Sequence, residues 1–349
     1  MRILIATDAW APQVNGVVTT LSRVGDCLVA AGHEVLFLTP QHFHTVPCPT
    51  YPEIRLALPA PGQVAALVSR FDPEAIHIAT EGPIGHAVRS YCLRRGLPFT
   101  TSYHTQFPHY LRLRLPLPLA VSYAYLRRFH RPAVRTLAAT RSVQQDLQAR
   151  GFRNVVLWCR GVDSVLFRPR DKNFIVDDRP VLMYAGRVAV EKNLEAFLRL
   201  DLPGSKYVVG SGPDLAMLRR RYPQVRFVGR RVGEELAAYL AAADVFVFPS
   251  RTDTFGLAML EAMAAGVPVA AYPVTGPLDV VQHGVTGYLD EDLARAVRMA
   301  LTLDPAACVA YARRLTWQAC AEQFAAYLAR FQPGTAGTGR ETVVVQRRG

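Results

Sequence analysis

The stretch Ala243-Asp-Val-Phe-Val-Phe-Pro-Ser250, followed by Asp253-Thr-Phe-Gly-Leu-Ala-Met-Leu-Glu261, carries the reading of the fold. Its first part is a short buried-strand pattern ended by Pro249, and its second opens an apolar, helix-like run at a Phe-Gly step. A strand that passes through a loop into a helix is the repeating unit of a parallel α/β sheet. Two carboxylates bracket the junction, Asp253 in the loop and Glu261 on the helix. Backbone N–H groups at a helix N-terminus hold an anion or a sugar oxygen, and an acid two turns further along accepts hydrogen bonds from a diol.

The same alternation extends in both directions. In the first half, strand-like runs at 2–7, 34–38, 75–79, 98–102 and 136–139 alternate with helical patterns such as 16–31, 63–71 and 85–95. It restarts after residue 178, with strands expected at 181–185, 206–209, 225–228, 244–248 and 267–271 and helices at 193–200, 212–221, 233–242 and 256–265. The expected architecture is α/β, two Rossmann-like doubly wound parallel sheets facing a central cleft. Residues 1–168 form the first domain, the polar, proline-closed segment 169–180 a linker, and 181–305 the second domain. Residues 306–331 read as a C-terminal helix returning to the first domain, and 332–349 as a disordered tail.

At 349 residues the chain exceeds the size at which one core stops growing. No run of about 18 uncharged apolar residues is present to span a bilayer. Asp8 interrupts the N-terminal apolar run, which argues for a first strand and against a signal peptide. Six scattered cysteines without metal-type spacing suit a reduced, cytosolic protein. The net charge of +12 is uneven: residues 1–168 hold 18 arginines, no lysine and 9 carboxylates. A cationic first half suits an anionic membrane or nucleic acid; the alternative is an arginine-rich composition, in which only Lys172, Lys192 and Lys206 are lysines.

Several constellations carry chemistry. Gly186-Arg187-Val-Ala-Val-Glu191-Lys192 follows the first strand of the second half, which puts two cations where open α/β sheets bind ligands and suits a diphosphate. Gly210-Ser-Gly212-Pro213 lacks the third glycine of a dinucleotide fingerprint and reads as a tight turn with backbone close to a ligand. In Trp10 to Val17, Asn15 either caps the following helix or, with Gly16, brings backbone to a phosphate. His104, just past a strand end, is placed to hydrogen-bond a sugar hydroxyl or move a proton. Asp290-Glu-Asp292 reads as a helix N-terminal charge cluster, so no tightly bound metal is expected and Arg187 with Lys192 take its part. No Gly-x-x-x-x-Gly-Lys loop or Gly-x-Ser-x-Gly elbow occurs, which excludes P-loop nucleotidases and α/β-hydrolases.

In order along the chain, Asn15-Gly16, Arg160-Gly-Val-Asp163, Gly186-Arg187 with Glu191-Lys192, Asp253-x-Phe-Gly-x-x-x-x-Glu261 and Gly284-Val-Thr-Gly287 resemble the retaining glycosyltransferases of family 4, which have the GT-B fold. The resemblance implies a nucleotide-sugar donor. Arg187 and Lys192 would bind its diphosphate, Glu261 its ribose, and the backbone of Phe255, Gly256 and Leu257 its sugar and phosphate oxygens. His104 and Asp253 would contact the sugar, Gly16 with Asn15 and Val17 would close on the diphosphate, and Gly186, Gly210, Gly212, Pro213, Val228 and Gly229 would surround the nucleotide. The first acid of the pair is usually glutamate in this family and here is Asp253, one methylene shorter. The Asp-Thr-Phe-Gly form resembles a branch of bacterial glycolipid and sulfolipid synthases and GDP-mannose-dependent mannosyltransferases.

The expected activity is therefore retaining transfer of a hexose, without a metal or other cofactor, from a UDP-sugar to a membrane lipid such as diacylglycerol. The alternative is a GDP-mannose-dependent α-mannosyltransferase acting on a lipid-linked or soluble glycan. Residues 110–131 interleave leucine, aromatics and arginine, a composition suited to docking on the inner face of the cell membrane or to a helix buried with its arginines solvated. A basic nucleic-acid-binding protein is the reading from another class, but no reader motif supports it.

Overall fold

A computed structural model describes residues 1–13, 15–48, 51–112 and 118–334, with backbone alone at 51–54. The first domain is built on β1 (Arg2–Ala6), β2 (Glu34–Leu38), the hairpin β3 (His44–Cys48) and β4 (Tyr51–Leu58), β5 (Ala75–Ile78), β6 (Thr100–Tyr103), β7 (Arg135–Ala138) and β8 (Val155–Leu157). The second holds β9 (Val181–Ala185), β10 (Ser205–Val209), β11 (Arg226–Gly229), β12 (Val245–Phe248), β13 (Val269–Ala271) and β14 (Gly287–Leu289). All pairings within the two six-stranded sheets are parallel, in the orders β2-β1-β5-β6-β7-β8 and β11-β10-β9-β12-β13-β14. Strand order reverses beside β1 in one sheet and beside β9 in the other, the points at which doubly wound sheets open a ligand crevice.

Parallel strands are covered by helices on both faces, so they read as continuous apolar runs. The four residues of β12, Val-Phe-Val-Phe, are all buried. The polar strand β6, Thr-Thr-Ser-Tyr, is buried too, because its neighbours satisfy it. Ser102 Oγ and Thr100 Oγ1 lie 2.9 Å from the two ring nitrogens of His77, and Thr101 Oγ1 lies 2.9 Å from His130 Nδ1.

The structure departs from the sequence reading at short or proline-bearing elements. The β3–β4 hairpin, β8 and β14 were not expected; β8 and β14 have only three residues each, too few to display a period. The continuous helix expected to 331 is two helices, Pro305–Ala312 and Trp317–Tyr327, the second restarted by Thr316, whose Oγ1 accepts from Ala319 N at 3.2 Å. This last helix lies on the first domain, with Cys320, Ala321 and Phe324 in one core with Ile3, Ile5, Leu21 and Trp158. Segment 169–180 is pinned along the second domain: Lys172 Nζ and Arg179 Nη1 each reach the Asp244 carboxylate at 2.7 Å. Of the expected tail, residues 335–349 lie outside the described residues, as do Val14 and residues 113–117.

Candidate active site

The chain leaves β9 through Gly186 and Arg187 and leaves β12 through Pro249 to Asp253, on either side of the reversal of strand order. A single turn, Val190–Lys192, then carries Lys192 onto Asp253, with Nζ 2.5 Å from Oδ1. The two side chains are only 17% and 15% exposed. Burial acts to lower the Lys192 pKa, but Asp253 and the Tyr110 and Tyr184 phenols more than offset it, and the ammonium stays charged. Asp253 Oδ2 is buried and meets no hydrogen-bond partner among the described residues. Tyr110 comes from the first domain and lies beside Lys192; burial pushes its phenol up to about 12. Arg187 sits half-buried on the same loop, its carbonyl accepting from Tyr184 Oη at 2.8 Å.

The loop holding Asp253 is stitched to the first domain. Thr254 Oγ1 donates to the His104 carbonyl at 2.7 Å, Thr140 Oγ1 donates to the Thr254 carbonyl at 3.0 Å, and Gln106 Nε2 reaches the Asp253 carbonyl at 3.3 Å. His104, Lys192 and Asp253 are thus brought together from both domains. His104 Nε2 is buried without a partner among the described residues. Burial first, then Arg160 and His77, hold this imidazole well below its usual pKa, so it is neutral.

Gly256 precedes the helix Leu257–Ala264 at φ 86°, a conformation glycine adopts without the penalty other residues incur. The N–H groups of Phe255, Gly256 and Leu257 donate to no described residue, which leaves a set of open donors at a helix N-terminus. Glu261 follows on the same helix. Burial raises its pKa to about 7, and Arg23 of the opposing helix Gly16–Ala30 pulls the other way. A carboxyl raised above its unfolded value weakens the fold as pH climbs through that range, while the carboxylate that accepts a diol is complete only above about pH 7. Nucleotide affinity measured calorimetrically should therefore rise between pH 6 and 8, and Glu261→Gln should lose roughly tenfold or more at pH 8 and flatten the dependence. A pH-independent affinity in the unmodified protein would remove Glu261 from the donor site.

Gly16 is exposed opposite Leu257, since a Cβ added there would stand 3.6 Å from Leu257 Cδ1. Its neighbours are otherwise engaged. Asn15 Oδ1 accepts from Val17 N and Val18 N at 3.0 Å each, so Asn15 is the helix cap and the Val17 N–H is spent on it. Of the two roles open to Asn15 in the sequence, the structure shows the cap.

Gly186 and Gly210 extend β9 and β10, and Gly229 closes β11: Gly186 N donates to Val209 O at 2.9 Å and Gly210 N to Gly229 O at 2.8 Å. A Cβ on Gly210 would stand 1.8 Å from Gly186 O, so glycine is required for this backbone approach. Gly212 presses likewise on Val188 O, Pro213 is exposed, and Val228 packs partly on the second core. The glycines shape the wall by contact with one another. Asp292 caps the helix Leu293–Ala300, as its position before a helical pattern implied.

Three residues escaped assignment from sequence. Asp8, at the end of β1, accepts from Thr80 Oγ1, Ile84 N and Gly85 N at 2.9, 2.8 and 3.3 Å; its only sequence signal is a lone acid after an apolar strand. Tyr110 reaches Lys192 across the cleft, with no local signal. Arg160 is buried beside His104, its position marked only by the Arg-Gly-Val-Asp motif. The Asp163 end of that motif meets Arg23 at 3.2 Å. Away from the cleft, a cavity of about 670 Å³ is lined by Arg127, Arg128, Arg131 and Arg153.

Two doubly wound sheets whose strand-end loops meet over His104, Lys192 and Asp253 define the GT-B class of sugar-transferring folds. Residues 14–165 match the family described as Glycosyltransferase Family 4, and residues 179–302 match Glycosyl transferases group 1. The chain belongs to glycosyltransferase family 4. It is 32% identical over 316 residues to a GDP-mannose-dependent alpha-mannosyltransferase of Mycobacterium tuberculosis, covering 83% of each chain. It is 26% identical to the alpha-monoglucosyldiacylglycerol synthase of Streptococcus pneumoniae, over 87% of this chain and 79% of that one. Among solved structures, Anabaena HepE in complex with UDP and glucose superposes with a TM-score of 0.69 at 18% identity, over 93% of this chain and 98% of that one.

Proposed function

We propose that this glycosyltransferase moves a hexose, with retention and without a metal, from a nucleotide-diphosphate sugar to a lipid-linked acceptor at an anionic membrane face. The carrying observation is the cleft in which a charged Lys192 and a row of open N–H donors at Phe255, Gly256 and Leu257 face Gly16. Such donors stabilise the charge that develops on a departing diphosphate. No enzyme carboxylate stands out as a nucleophile, because Asp253 is held by Lys192. Front-face substitution fits this arrangement: the leaving phosphate oxygen takes the acceptor proton, and Arg187 and Lys192 balance its charge.

For the donor, the 32% identity with a GDP-mannose-dependent enzyme favours GDP-mannose over the UDP-sugar expected from sequence. A UDP-hexose passed to diacylglycerol is the second reading, supported by likeness to the diacylglycerol glucosyltransferase. A thermal-shift panel of GDP-, UDP- and ADP-sugars tests the base, and radiolabelled donors offered with diacylglycerol-containing vesicles test transfer. Stabilisation by GDP and label entering lipid from GDP-mannose are expected. Vesicles left unlabelled by every donor would sink the lipid acceptor.

Membrane contact is proposed for a basic, partly apolar face of the first domain. No helix among the described residues is long and apolar enough to cross a bilayer. The helix Leu119–His130 buries Tyr123, Leu126 and Phe129 in the first domain and exposes Val121, Tyr125, Arg127 and Arg128, a side available to a membrane surface. Its exposed side carries Val121 and Tyr125 together with Arg127 and Arg128, apolar and basic groups that suit an anionic interface. Each arginine near an anionic leaflet contributes about 1 kcal/mol. Arg127→Glu with Arg128→Glu should thus cut co-sedimentation with phosphatidylglycerol vesicles roughly tenfold or more at low salt. Unchanged sedimentation would assign the acceptor to solution.

A further inference from the structure

Arg160 is 4% exposed, and among the described residues no carboxylate pairs with it. Its Nη1 donates to the Trp158 and Cys159 carbonyls at 3.0 and 2.9 Å, and its guanidinium lies over the Trp158 ring, 4.2 Å from the centroid. The other arm, Nη2, stands 3.4 Å from His104 Nδ1. Trp158 also meets the His104 ring edge-on, at 5.8 Å between centroids, so both partners restrict the imidazole plane.

A guanidinium carries only donors, so the imidazole nitrogen facing it must present its lone pair. The single proton of a neutral imidazole then resides on Nε2. That nitrogen is the one left buried and unpartnered among the described residues, while the Thr254 hydroxyl, on the residue after Asp253, holds the His104 carbonyl at 2.7 Å.

We infer that Arg160 is a positioning residue that fixes His104 as the neutral Nε2–H tautomer, a hydrogen-bond donor aimed at an oxygen of the donor sugar. The groups facing the ring reinforce this assignment. Burial, the Arg160 charge and His77 all oppose protonation, and no carboxylate is among the causes acting on it. His104 is thereby excluded as a general base near neutral pH: its Nδ1 lone pair is taken by Arg160, and Nε2 already carries a proton. Its contribution is a fixed N–H dipole, present before the substrate arrives. The target of that donor rests on the glycosyltransferase reading, whereas the tautomer does not.

The test uses the full-length protein labelled with ¹⁵N-histidine, with His104→Gln to assign the resonances. Long-range ¹H–¹⁵N correlation should show His104 Nδ1 unprotonated and Nε2 protonated, without titration between pH 6 and 8. Arg160→Met should release the ring to mixed tautomers, and Arg160→Lys, which keeps a charged donor, should restore the Nε2–H form in part. With a sugar donor, Arg160→Met should lower kcat about tenfold, the worth of one hydrogen bond, with circular dichroism unchanged. A wild-type spectrum with the proton on Nδ1, or a charged ring at pH 7, overturns the inference, as does a folded Arg160→Met protein that retains the wild-type pattern. Should that variant not fold, the wild-type spectrum decides alone. Because the spectrum needs no nucleotide sugar, its outcome is separable from failure of the donor assignment.

Discussion

Lys192→Ala should lower kcat/KM for sugar transfer by roughly 10²- to 10³-fold, the usual effect of removing one preorganised electrostatic group from a transition-state site. Lys192 is one of three lysines in the chain and is held in the cleft at 2.5 Å from Asp253. In that position it is charged before the donor arrives, so it needs no reorganisation when negative charge builds on the leaving diphosphate. The same substitution strands Asp253, whose Oδ2 already lacks a partner among the described residues. An unpaired, largely buried carboxylate is destabilising, so thermal unfolding should also move to lower temperature. The double variant Lys192→Ala, Asp253→Ala separates the two effects: stability should recover towards that of the unmodified protein while transfer stays low. Initial rates with saturating acceptor measure the first effect and thermal melting the second. Transfer within threefold of the unmodified enzyme would remove Lys192 from the diphosphate site.

Phe324→Ala should destabilise the protein by about 3–5 kcal/mol, the range for truncating a fully buried aromatic side chain. Phe324 is fully buried on the returning helix, with its ring 5.1 Å from Trp158 and 4.8 Å from His77. Trp158 Nε1 in turn donates to the Cys320 carbonyl of that helix at 3.0 Å. A globular protein has about 5–15 kcal/mol in all, so this loss is a large share. The cavity would open behind Trp158, the surface on which Arg160 rests, so a fall in transfer rate should accompany the loss of stability. Urea unfolding followed by tryptophan fluorescence measures it. A change below about 1 kcal/mol would mean that the helix is not held by this core.

The expected α/β architecture was legible because buried parallel strands leave continuous apolar runs, as in Val245–Phe248, and because glycines and prolines mark the strand ends. The three-residue strands β8 and β14 were not, since three residues show no period. Thr316, where the last helix restarts, is locally an ordinary polar residue, and the close packing of Gly161 against the Thr316–Trp317 backbone explains why the chain breaks there. At the site, His104, Lys192 and Asp253 were legible from their places after strand ends. Tyr110 and Arg160 were not, because each acts through a partner from another part of the chain.

The sequence by itself determined the two doubly wound domains and the strand-end loops that face the cleft. These follow from periodicity and spacing, which are properties of neighbours along the chain. Only the tertiary structure decided how the polar groups are spent: Asp253 on Lys192, Asn15 on the start of its own helix, Arg160 on His104, and the charges of segment 169–180 on Asp244. Lys192 and Asp253 lie 61 positions apart, and His104 and Arg160 lie 56 apart. Chain spacing does not specify which donor meets which acceptor over such separations. Packing does, because each buried polar group is costly until it finds a partner.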